Sequence, residues 1–315
     1  RQPVDQVRYV SGNDTGFPDG VTSLADSGSV TGPGTFYRRS QRSLTFRPSG
    51  QSGWWIRRTD LPESLPFQVT IRNVWTAQRN IVLRSGSPHN YLRMVEHIVA
   101  LRLGMGLDNV TIDTDSGDPP LFHRGSLDLV EAVEKAGLHE SDRPARFITV
   151  KEPVTIGGDR GDFVTLLPAA PGQRKLRMDC AVDFTSAIGR QRIQFDLTHD
   201  TFRHGSAART NATQGQMLFC KTVGVLFADM RHLGYTRQNI LIHGKRRYFN
   251  EPKLLHEGRS LEAIWHRATL DLLAALALLD TGRFVGTAVS YRAGHLLDTR
   301  LMTLLYLKDL LKPAE

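Results

Sequence analysis

The spacing of apolar and polar residues changes several times along the chain. Between residues 37 and 83, stretches such as Ser43-Leu44-Thr45-Phe46, Trp54-Trp55-Ile56 and Phe67-Gln68-Val69-Thr70-Ile71 tend to alternate, the period of two that marks half-buried strands. From 90 to 104 the spacing becomes helical, with Met94, Val95, Ile98, Val99 and Leu101 on one recurring face and Gly104 and Gly106 as the stop. A strand is expected over 108–113, and a second helix over 127–136, closed by Gly137. Further strands are expected over 163–167, 176–184 and 192–197. A helix over 217–230 ends near Gly234 and leads into a strand at 239–243, an echo that sets Asn239 opposite Asn109. A long helix follows over 260–279, with Leu261, Ile264, Trp265, Ala268, Leu272, Leu276 and Leu279 as its apolar stripe. An apolar strand over 285–291 then delivers His295 into a glycine-containing turn.

This order predicts an α+β protein of two pseudo-repeated domains, each a β-sheet packed against helices. Residues 1–35, rich in Gly, Ser, Asp and Pro as in Ser11-Gly12-Asn13-Asp14 and Thr31-Gly32-Pro33-Gly34, are expected to form an irregular arm. The first domain is set at 36–145 and the second at 146–315. Breakers Arg143-Pro144, Glu152-Pro153 and Gly157-Gly158 cluster near the join.

With 315 residues, 40% of them hydrophobic and 23% charged, the chain can bury a sizeable core, which excludes disordered, collagenous and coiled-coil classes. The net charge of +8 favours an anionic partner: nucleic acid, phosphosugar or an acidic membrane surface. No nucleic-acid motif accompanies the basic clusters Arg38-Arg39 and Lys245-Arg246-Arg247-Tyr248, which read as solvated loops. Two cysteines, Cys180 and Cys220, exclude a disulfide framework and a zinc site built from several thiolates, and favour a reducing, cytoplasmic compartment. Both read as small packing residues. The longest apolar stretch, 270–279, is interrupted by Asp271 and falls short of the ~18 residues a membrane helix needs. Because the chain begins at Arg1, the question of a removed leader stays open.

Chemistry concentrates at three places. Glu96-His97 on the first helix sets a carboxylate beside an imidazole: either a general base next to a metal ligand, or an exposed carboxylate next to a partly buried histidine. Asp271 lies close to the apolar stripe of the late helix and needs a partner. His295 is placed either to act as an acid or to stand as a surface histidine of the turn. His199, His204 and His243 form no metal motif in spacing or neighbours and read as structural or surface residues.

The arrangement resembles the zinc-dependent UDP-3-O-acyl-N-acetylglucosamine deacetylases of lipid A biosynthesis. The likeness rests on residues 94–101 (Met-Val-Glu-His-Ile-Val-Ala-Leu), on 106–112 (Gly-Leu-Asp-Asn-Val-Thr-Ile), on Ala208-Arg209-Thr210, and on Gly286 through Tyr291-Arg292-Ala293-Gly294-His295. It implies a site between the two domains. It also implies a general base at Glu96, zinc ligands at His97 and Asp271, a general acid at His295 and an oxyanion-steadying hydroxyl at Thr210. The implied substrate is an acylated UDP-amino sugar, the implied cofactor zinc, and the implied reaction hydrolysis of an N-acetyl amide.

The sequence departs from the family around the metal. The family's His-Lys-x-x-Asp places His and Asp four residues apart; the same spacing here gives Arg267-Ala268-Thr269-Leu270-Asp271, and arginine has no lone pair to offer. Ala275 stands where an acidic residue is expected, and Phe36 replaces a histidine in Gly32-Pro33-Gly34-Thr35-Phe36. His266 is one residue removed and, on a regular helix at ~100° per residue, faces away from Asp271. Only a π-bulge, which sets i and i+5 on one face, would bring it back as a ligand. Two expectations follow: a zinc deacetylase, or a catalytically degenerate homologue that binds a nucleotide sugar, lipid or protein without turnover.

Overall fold

The computed structural model describes residues 5–9, 17–226 and 232–314. A five-stranded sheet is built by β3 (Gly28–Pro33), β4 (Gln41–Pro48), β5 (Trp54–Arg58), β6 (Phe67–Gln68) and β10 (Val110–Thr114) in the order β3-β4-β10-β5-β6. Alternation writes it: Leu44, Phe46, Trp54, Ile56 and Ile112 are buried on one face, while Arg47 and Arg57 stand on the other and grip Asp113. Before β10 comes α1 (Glu96–Gly104), and β10 runs parallel to β5, as a strand–helix–strand crossover requires. A second sheet, of six strands, repeats the device. Its order is β1 (Asp5–Tyr9), β16 (Arg190–Asp196), β15 (Leu176–Asp183), β22 (Gly286–Tyr291), β14 (Phe163–Leu167), β13 (Val154–Gly157). Here β22 follows a long helical stretch and lies parallel to β15.

That stretch is three elements in one: α5 (Glu262–His266), a π-helical segment (Arg267–Leu272) and α6 (Leu273–Leu276). It packs against α1 in the centre of the molecule. Arg102 of α1, only 2% exposed, donates to the carbonyls of Ala277 (2.9 Å) and Leu279 (2.5 Å) and so satisfies acceptors past the end of α6. Close approach depends on two glycines. A Cβ on Gly104 would lie 2.3 Å from the Phe202 ring, and one on Gly205 would lie 2.4 Å from Thr269. Phe202 and Gly205 belong to α3 (His199–Ser206), which packs on the π-helical segment.

Around the two sheets lie α2 (Leu127–Ala136), ended by Gly137 at φ 72°, and α7 (His295–Leu307). Smaller ladders are β2 (Gly20–Leu24) with β11 (Leu138–Pro144), and β21 (Arg283–Phe284) with β12 (Phe147–Val150) and β23 (Leu311–Pro313). Another is the meander β7 (Val74–Thr76), β8 (Val82–Arg84), β9 (Tyr91–Arg93). The last two are β17 (Thr210–Thr213) with β18 (Ile240–His243), and β19 (Leu255–His256) with β20 (Arg259–Ser260).

The α+β class and the repeated design stand, but several local expectations are corrected. The stretch 1–35 is no irregular arm where it is described: it carries β1, β2 and β3, and β1 pairs in parallel with β16 at the edge of the second sheet. Residues 11–14 lie outside the described residues. The counterpart of α1–β10 is the late helix with β22, because both deliver a strand parallel to its sheet partner. The stretch 239–243 instead pairs with β17 in a separate two-stranded ladder and bridges to Tyr248. The helix expected over 217–230 is α4 (Gln214–Lys221) followed by a 3-10 turn, Val223–Leu226, and 227–230 lie outside the described residues. The expected helix over 90–104 begins only at Glu96, since Met94 at φ 53° cannot continue a right-handed helix from β9.

Candidate active site

The start of α1, the first residue of β17, the π-helical segment and the start of α7 converge. Glu96 and His97, each 3% exposed, occupy the first two positions of α1. Glu96 accepts the Ile81 backbone N–H through Oε2 (3.0 Å), so the chain just before β8 fixes the carboxylate. His97 stacks on Phe122, with ring centroids 5.1 Å apart, and its carbonyl accepts the Ser126 hydroxyl (2.7 Å). Its Nδ1 lies 3.3 Å from the same oxygen. Thr210 is carried by Arg209, whose guanidinium grips buried Glu262 of α5 at 2.6 and 3.0 Å.

The decisive local feature is the π-helical segment. By widening one turn it places His266 and Asp271, five residues apart, on the same face: Nδ1 of His266 lies 3.3 Å from Oδ1 of Asp271. The side chain beside Asp271 is therefore His266. Arg267 turns elsewhere, making a two-pronged ion pair with Asp298 (2.5 and 2.6 Å) and a hydrogen bond to Ser290 (3.0 Å).

All six residues singled out from the sequence meet in one cluster. The Thr210 hydroxyl lies 3.0 Å from Nε2 of His266 and 3.4 Å from Nε2 of His97. Nε2 of His295 lies 3.5 Å from Oδ1 of Asp271 and 3.9 Å from Oε1 of Glu96. His199, His204 and His243 stay outside: the first contacts Glu134, the second stands edge-on to Trp265 and the third to Phe184. Cys180 is buried on β15, where burial pushes its thiol up to about 12. Three contributors were missed. Ser126 and Phe122 lie in the 120–126 turn, and nothing in their spacing marks them as supports for His97. Asp298 carries no signal except its position one turn after His295.

Electrostatics divide the cluster. Burial raises the Glu96 carboxyl above its usual range and lowers the His97 imidazole to about 3, so His97 is neutral at pH 7, the form that binds a metal. For Asp271, burial is outweighed by His266 and His295, and its carboxyl is held far below the usual range. For His295, burial is outweighed by Asp271 and then Glu96, which raise it. Among the described residues, two buried atoms of the cluster, Oδ1 of Asp271 and Nδ1 of His295, find no properly directed hydrogen bond. Two imidazoles and a carboxylate are the donor set of a catalytic zinc site, and an under-satisfied Asp271 oxygen suits a ligand awaiting its cation. Among the described residues, however, no three such side chains already close on one point as a bound ion would gather them.

A narrow recess opens beside His97 and Thr210, lined by Met94, Leu121, Phe122, Tyr235 and Ile240.

A family model for UDP-3-O-acyl N-acetylglycosamine deacetylase matches residues 22–306, nearly the whole chain. The chain belongs to this deacetylase family. Curated relatives bearing the name UDP-3-O-acyl-N-acetylglucosamine deacetylase agree over most of their length. The Bdellovibrio bacteriovorus protein is 28% identical over 80% of this chain and 79% of its own. That of Campylobacter jejuni is 28% identical over 84% of each chain, and that of Idiomarina loihiensis 27% identical over 89% of this chain and 87% of its own. No helix among the described residues is long and apolar enough to cross a membrane.

Proposed function

We propose that this member of the deacetylase family hydrolyses the N-acetyl amide of an acylated UDP-amino sugar, with zinc held by His97, His266 and Asp271. The observation that carries the reading is the π-helical segment, which sets His266 beside Asp271 where a regular helix would part them. When bound, zinc supplies a Lewis acid that polarises the scissile carbonyl. Glu96, fixed by the Ile81 N–H, takes a proton from the attacking water. Thr210 donates its hydroxyl to the developing oxyanion. His295, whose protonated form is favoured by Asp271 and Glu96, hands its proton to the departing amine nitrogen. The apolar recess between Met94, Phe122, Tyr235 and Ile240 suits part of a fatty-acyl chain. In this reading the site lies between halves set at 36–145 and 146–315, the first giving Glu96 and His97 and the second the other four, and the protein works in the cytoplasm.

Two observations favour binding without turnover: among the described residues Nδ1 of His295 has no hydrogen-bond partner, and residue 275, one turn after Asp271, is alanine. A single experiment separates the readings. The purified chain is stripped with chelator, reloaded with zinc and supplied with UDP-3-O-acyl-N-acetylglucosamine. One zinc per chain with chelator-reversible acetate release supports the enzyme. Substrate binding without acetate supports the degenerate homologue, and neither zinc nor acetate removes the hydrolase reading.

A further inference from the structure

Arg267 is the first residue of the π-helical segment, one after His266 and four before Asp271. Arg267 is 4% exposed, and its guanidinium meets Asp298, 1% exposed, through two parallel hydrogen bonds of 2.5 and 2.6 Å. A third bond, 3.0 Å, reaches Ser290 on β22, itself 2% exposed. Asp298 lies one turn after His295 on α7. The three anchors thus sit on the segments that carry His266 and Asp271, on the one that carries His295, and on the strand between them in sequence. A buried ion pair is a weak device for stability, because apolar residues of similar volume commonly serve as well or better. What a planar two-pronged pair does supply is a fixed distance and orientation between the elements it joins.

We propose that Arg267 and Asp298 are positioning residues: their ion pair sets the separation of the π-helical segment from α7, and so the 3.5 Å approach of His295 to Asp271. The inference rests on the reading of that cluster as a hydrolytic centre. Arginine at 267 is thereby a working part of the site's frame and not the relic of a lost ligand.

The test uses the double variant Arg267→Met/Asp298→Leu, which removes both charges and leaves neither buried alone, and Arg267→Lys, which keeps the charge but loses the two-pronged geometry. Zinc affinity is measured by competition with a chromophoric chelator. Histidine imidazole resonances are recorded in the metal-free proteins, those of His266 and His295 being assigned through His266→Gln and His295→Gln. The expected result for the double variant is unchanged thermal stability, zinc affinity weaker by about 10- to 100-fold, and displaced His266 and His295 resonances, with that of surface His199 in place. Arg267→Lys gives displacements of the same two resonances, smaller in size. Zinc affinity within twofold of wild type together with unmoved resonances overturns the proposal. If wild type takes up no zinc, the hydrolase reading fails by itself, and the metal-free resonances still decide whether the pair positions the histidines.

Discussion

Two helical stretches supply four of the clustered side chains, Glu96, His97, His266 and Asp271, and they do so by opposite means. In α1 the two site residues are adjacent in sequence, at the first turn of a regular nine-residue helix, held from outside by Ile81 and Ser126. In the late stretch the two site residues are five apart, and the helix itself is deformed to join them. The regular helix needs correct phase against its neighbours along its whole length. The π-helical segment has a wide turn that has already absorbed one residue, so the register beyond it can agree with the packing of Leu272, Leu273 and Leu276.

The sharpest way to break this comparison is to delete one residue from each. Deleting Ala100 turns everything after it on α1 by ~100°, swinging Leu101, Leu103 and Arg102 away from the core; no cooperative thermal transition is expected. Deleting Ala268 brings His266 and Asp271 to a separation of four positions, that of a regular turn. The protein is expected to keep a cooperative transition, with Tm lower by no more than about 5 °C, and, under the proposed function, to bind zinc as the unaltered chain does. Equal collapse of both variants in a melt followed by circular dichroism would remove the distinction.

Next in size come the chemical groups of the two stretches. Under the proposed hydrolysis, Glu96→Gln, which keeps the shape of α1 but removes the carboxylate, is expected to lower kcat for acetate release by about 10²- to 10⁴-fold with little change in KM. Thr210→Val, between the two histidines, is expected to lower kcat by about 10²- to 10³-fold. A drop confined to KM in either variant would assign the residue to substrate binding instead.

The smallest effects belong to the sheets beneath. Asp113 on β10 is held below its usual range because hydrogen bonds from Arg57 and Arg47 outweigh its burial; Asp179 on β15 is held down likewise by Arg192 and Gln194. A depressed carboxyl stabilises the fold above its unfolded value near 3.9 and loses that contribution as pH falls through the lower folded value. Asp113→Asn and Asp179→Asn should each cost about 1 kcal/mol at pH 7, the partly exposed arginines being screened by water, and flatten the loss of stability below about pH 5. Urea midpoints measured from pH 7 to pH 3 check both; a midpoint loss that persists unchanged at pH 3 would mean the carboxylates act by packing and not by charge.

Much of this was legible in advance, for physical reasons that can be named. Strands such as β4, β5, β14 and β15 announce themselves because one face is dry and the other wet, and that alternation is written residue by residue. Glu96, His97, Thr210, Asp271 and His295 could be nominated because short motifs keep their order along the chain. The arm at 1–35 was misjudged because a strand such as β1 draws its hydrogen bonds from β16, almost two hundred residues away, and turn-forming composition does not exclude such pairing. The repeat was set in the wrong register because a helix, a glycine and a strand recur at 214–243 without joining either large sheet.

The sequence by itself determined the chemical inventory and the two-sheet plan, since residue types and their periods act locally. Whether Arg267 or His266 stands beside Asp271 was decided only in the folded state. A regular and a π-helical turn differ by a single hydrogen-bond register, a choice too small for local propensity to settle. It is fixed instead by contacts from elsewhere: Asp298 and Ser290 drawing Arg267 to one side, Thr210 meeting His266 on the other.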